Sequence, residues 1–101
     1  MTTEQKFAKH YEANGGRKAG TLPWAEIIAA ILKVLSGCVS TPGALKRWAR
    51  RKEDAFVEIV ANEMKAHGWF SSAGDRFAAA NAAHPVFLSM PNKEIAKYMG
   101  S

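Results

Sequence analysis

The chain has a single cysteine, Cys38, so it forms no internal disulfide and suits a reducing compartment. Its three histidines, His10, His67 and His84, lie far apart, and no cluster of them with Cys, Asp or Glu has metal-ligand spacing. The sequence lacks a Gly-rich dinucleotide fingerprint, a nucleophile elbow and a catalytic-cysteine signature. No apolar run reaches the roughly 18 residues that a membrane span needs. Alternating β-branched stretches are also missing, so no sheet is expected. The first residues, MTTEQKFAKHYE, mix both charge signs and do not read as a signal peptide. Together these absences predict a cytoplasmic protein that is not an enzyme, holds no cofactor or metal, and does not enter a membrane.

What the sequence has is alanine and positive charge. Eighteen of its 101 residues are alanine, and the larger apolar residues are rich in Phe, Trp and Met. This mixture suits helices packed closely at alanines and anchored by aromatic rings. Formal net charge is +5 and the isoelectric point is near 9.6, which favours acidic partners. Length and patterning predict a single all-α domain over residues 1–101, a compact array of about five helices at 3–13, 22–36, 42–67, 72–83 and 91–99.

The span 42–67 organises the rest. Thr41 is a good N-cap, Pro42 suits the first helical position, and Gly68 suits a left-handed C-terminal stop. Between Ala44 and Ala66 there is no Pro or Gly. An unbroken helix here would be a rod of roughly 37 Å. At about 100° per residue, Leu45, Trp48, Ala49, Ala55, Phe56, Ile59 and Val60 share one arc. Lys46, Arg47, Arg50, Arg51, Asp54 and Glu58 lie opposite. Lys52 and Glu63 fall inside the apolar arc, which makes them candidates for a partner charge at an interface. Glu53 and Asp54 are spaced to pair with Arg50.

Around this rod the elements follow in order. Thr2 and Gln5 form a capping box for the first helix, whose Phe7 and Tyr11 share a face. Residues 14–21, NGGRKAGT, read as a mobile basic connector, since the Walker spacing for a phosphate cradle is absent. Residues 22–36 are the most apolar segment and the expected central helix. Cys38 at its exit reads as a small buried hydrophobe. Ser72 caps an alanine-rich helix that should stop near Ala83, before His84-Pro85. That smooth helix is expected to pack between others or against another subunit. Val86, Phe87 and Leu88 then read as a buried linker.

Two short stretches resemble known patterns. Leu35-Ser36-Gly37-Cys38 is similar to the lipobox of bacterial lipoproteins, whose cysteine is lipidated. Glu26 and Lys33 interrupt the run before it, so a Gly-Cys helix exit is preferred. The turn SGCVSTPG followed by ALKRWARRK resembles a helix-turn-helix, with a turn longer than the usual three or four residues.

The leading expectation for function is a non-catalytic protein–protein interaction or structural module acting within an assembly, including self-association. Its interface candidates are the connector aromatics Trp69 and Phe70, with Lys52 and Glu63. The alternative is a nucleic-acid-binding protein contacting phosphates through Lys46, Arg47, Arg50 and Arg51, helped by Arg17 and Lys18. Whether those cations stand open or are tied up by neighbouring acids discriminates the two.

Overall fold

In the computed structural model, which describes residues 1–99, six α-helices and one 3₁₀ turn account for the elements. They are α1 (Thr3–Ala13), the 3₁₀ turn Ala19–Thr21, α2 (Trp24–Ser36), α3 (Pro42–Arg51), α4 (Glu53–His67), α5 (Ala73–Ser89) and α6 (Asn92–Met99). The expected all-α class holds, and no strand occurs among the described residues.

The caps sit where the sequence puts them. The Thr2 hydroxyl accepts from the Gln5 N–H at 3.1 Å, and Gln5 Oε1 accepts from the Thr2 N–H at 2.8 Å. Thr41 accepts from Ala44 and Ser72 from Asp75, while Gly68 closes α4 at φ 70°.

The predicted rod is broken. Lys52 leaves helical geometry at φ −125° and ψ 56°, dividing residues 42–67 into α3 and α4. The break is one residue wide, since the Lys52 N–H still donates to Trp48 and its carbonyl still accepts from Phe56. The physical reason is a replaced hydrogen bond. In an unbroken helix the Ala49 carbonyl would accept from the Glu53 N–H; here His84 Nε2, from α5, donates to it at 2.9 Å. The apolar stripe survives the break: Leu45, Ala49, Phe56 and Val60 are buried, and Trp48, Ala55 and Ile59 are half-buried.

The alanine-rich helix also differs from expectation. It runs through Pro85 to Ser89, so Val86 and Phe87 are helical core residues and not a linker. Proline removes the bond to the Asn81 carbonyl. Asn81 and Pro85 both face outward, so that carbonyl lies on the exposed side of the helix. Continuing the helix brings Val86 and Phe87 into the core. Ala78, Ala79, Ala80, Ala82 and Ala83 are buried within this chain, with α1 and α4 as the main neighbours of α5. The smooth surface is therefore used internally, and α5 shares the central position expected of α2.

The core is threaded by a run of rings. Phe70 meets Tyr11 at 5.7 Å, Tyr11 meets Trp24 at 5.2 Å, and Trp24 meets Phe7 at 4.8 Å. Phe7 then meets Phe87 at 6.3 Å, Phe87 meets Phe56 at 6.1 Å, and Phe56 meets Trp48 at 6.2 Å. Such pairs add to the burial of apolar area that holds the helices together. Cys38 stands outside this core and is exposed, because the helix ends at Ser36 and the chain turns outward.

Candidate functional site

The basic residues of α3 form an open face. Arg47, Arg50 and Arg51 are exposed and Lys46 is half-buried. Among the described residues none of the four is in an ion pair. The expected pairing of Arg50 with Glu53 and Asp54 does not form, because the break at Lys52 takes the acids off its helix.

Arg17 and Lys18 do not join that face. Arg17 Nη2 lies 3.3 Å from Asp75 Oδ2, in the first turn of α5. Helix α3 meets α5 at His84, nine residues or roughly 13 Å further along. The connector is also not the loose segment predicted. The Tyr11 hydroxyl donates to the Arg17 carbonyl at 2.7 Å and accepts from its N–H at 3.0 Å. Trp24 Nε1 donates to the Ala19 carbonyl at 2.9 Å. Burial pushes the Tyr11 phenol above its ordinary range.

Asp75 is buried to 7% exposure. Desolvation pushes its carboxyl up, but hydrogen bonds and charge from Arg17, with a further bond from Ser72, outweigh this and hold it below the ordinary 3.8. The unfolded carboxyl then takes up a proton more readily than the folded one. The stability from this group is therefore present above pH 3.8 and lost as pH falls below it. Asp75→Asn is expected to lower the melting temperature at neutral pH and to flatten its decline in acid, as read from thermal melts at stepped pH. An unchanged acid slope would contradict the assignment.

The four interface candidates are dispersed. Lys52 is exposed at the break. Glu63 is half-buried near the other end of α4 and hydrogen-bonds His67 Nε2 at 2.8 Å. Trp69 is half-buried and stacks on His67 at 4.3 Å with the rings 4° from parallel. Phe70 is 9% exposed and belongs to the core.

A different patch emerges between α4 and α5. Glu53, Asp54, Val57, Glu58, Ala61, Asn62, Phe77 and Asn81 line a groove of about 350 Å³. Phe77 is 50% exposed, and apart from Met1 it is the one large hydrophobic residue exposed among the described residues. Within an alanine-rich helix such a ring would be expected to point inward. The signal was available: Phe77, Asn81 and Pro85 repeat every four residues, and the last two mark an outward stripe. Among the described residues Asp54 and Glu58 make no ion pair, and Glu53 comes only within 3.9 Å of His84 Nδ1.

Among the described residues no three His, Cys, Asp or Glu side chains group to hold a metal ion, and no helix is long and apolar enough to cross a membrane. Comparison with known protein families, with curated proteins and with solved structures finds no match to this chain.

Proposed function

We propose that the chain is a non-catalytic interaction module working within a protein assembly, and that the α4–α5 groove receives a cationic, amphipathic segment of its partner. The observation that carries this reading is Phe77, half in water on the wall of a groove that Glu53, Asp54 and Glu58 also line. Covering an apolar ring while matching three carboxylates calls for a helix that lays basic heads, with apolar stems or side chains beside them, against the groove. The reading includes a cytoplasmic location, where the exposed thiol of Cys38 stays reduced.

The test is a titration of the full chain with a synthetic amphipathic Lys/Leu helix, followed by amide chemical shifts. Shifts should concentrate at Val57, Glu58, Ala61 and Phe77. Phe77→Ser should weaken binding roughly tenfold, about the worth of covering part of a large apolar side chain. A Glu/Leu helix of the same pattern should not bind. Absence of shifts, or equal binding by the acidic peptide, would remove this reading.

A second reading is favoured by the open α3 face: Lys46, Arg47, Arg50 and Arg51 would contact phosphates of a nucleic acid. Binding would then weaken steeply with salt, and Arg47→Glu with Arg51→Glu would abolish it. Against it stand the acids immediately beyond Lys52 and the separate location of Arg17 and Lys18.

A further inference from the structure

We infer that the segment seated on the groove is α3 of a second copy of this chain, in a two-fold dimer closed through the elbow at Lys52. The inference rests on the interaction reading above and names its partner.

The elbow sets opposite charges side by side. Before the break stand Lys46, Arg47, Arg50 and Arg51; after it stand Glu53, Asp54 and, one turn on, Glu58. A cleft lined by Arg50, Arg51, Lys52, Glu53, Asp54 and Ala55 shares Glu53 and Asp54 with the Phe77 groove. The surface is therefore continuous and changes sign at one residue. Among the described residues neither these cations nor Asp54 and Glu58 stand in an ion pair.

A two-fold axis through such a boundary lays each copy's positive half over the other's negative half. This is the self-complementary contact that a closed dimer requires. A polyanion would meet repulsion on the α4 side, and a uniformly cationic partner on the α3 side. The arginine stems of α3 supply apolar cover for Phe77, and a guanidinium over that ring adds attraction.

Net charge opposes the pairing, because each copy carries +5. Ionic strength decides between the two effects. Near 0.15 M salt the screening length is about 8 Å, so distant repulsion is damped while touching pairs still attract. Near 1 M it is about 3 Å and the touching pairs weaken too. Dimerisation should therefore be greatest at intermediate salt.

Sedimentation velocity on the full chain, across a concentration series reaching about 1 mM, tests this. The expected result is a monomer–dimer equilibrium from the 11.0 kDa chain, strongest near 0.15 M salt. Arg47→Glu with Arg51→Glu, and separately Asp54→Lys with Glu58→Lys, should each weaken self-association at least roughly tenfold. An equimolar mixture of the two variants should restore a heterodimer, since every contact is again opposite in sign. All four positions are exposed, so melting curves should confirm intact folds. A strict monomer at every concentration overturns the inference, as does a mixture that fails to pair. If the Lys/Leu helix still binds a monomeric chain, the groove reading stands and only the second copy is wrong. If neither occurs, both fall. Salt-sensitive duplex binding by a monomer, lost in the arginine variant, would instead assign those cations to phosphates.

Discussion

Phe56→Ala is expected to destabilise the protein by about 3–5 kcal/mol, the usual range for truncating a buried phenylalanine. Phe56 is fully buried. It touches three rings from two elements: Trp48 of α3 at 6.2 Å, and His84 and Phe87 of α5 at 5.2 and 6.1 Å. His84, one of these neighbours, is held by the Ala49 carbonyl and is not free to swing into the space. A domain of this length has only about 5–15 kcal/mol of total stability. For about 100 residues each kcal/mol is worth roughly 4–8 °C. Thermal melting followed by circular dichroism should therefore show a fall of more than about 12 °C. Phe77→Ala supplies the contrast: the same chemical change at a half-exposed site should shift stability by no more than about 0.5 kcal/mol. Equal losses at the two positions would mean that the ring run is not the core.

Gly16→Ala is expected to cost about 2–3 kcal/mol, at the upper end of the overpacking range. The reason is steric. A Cβ at this position would overlap ring carbons of Tyr11. A free ring would swing away, but this one is 1% exposed, packed on Trp24 and Phe70, and hydrogen-bonded at its hydroxyl to both backbone groups of Arg17. Moving it breaks those bonds or shifts the loop that brings Arg17 to Asp75. Gly20→Ala, where an added Cβ meets nothing within 4 Å, should stay within about 0.5 kcal/mol of the parent. Chemical denaturation of the three proteins separates the two cases. A Gly16 variant as stable as the Gly20 variant would show that the loop yields.

The groove, more than the core, escaped sequence reading. Asp54 and Glu58 sat in plain view on one face of a supposed rod, with Glu53 beside them in sequence, but their meeting with Phe77 depends on how α4 packs against α5. No spacing rule links residues about twenty positions apart. The break at Lys52 was partly legible: Arg50 and Arg51 are the cations that suit a helix C-terminus, and Glu53 and Asp54 are the anions that suit the next N-terminus. The absence of Pro and Gly masked that signal.

Local chemistry alone determined a good deal. Hydroxyl caps at Thr2, Thr41 and Ser72, the left-handed stop at Gly68, and the inward sides of α1, α3 and α4 all follow from residues within a turn or two of one another. What tertiary structure decided was where helices had to end or go on. His84 takes a carbonyl of α3 from 35 residues away, and Pro85 is carried inside a helix because its missing bond faces water. In both cases a backbone group found its partner, or was spared one, through packing that no neighbour along the chain could specify.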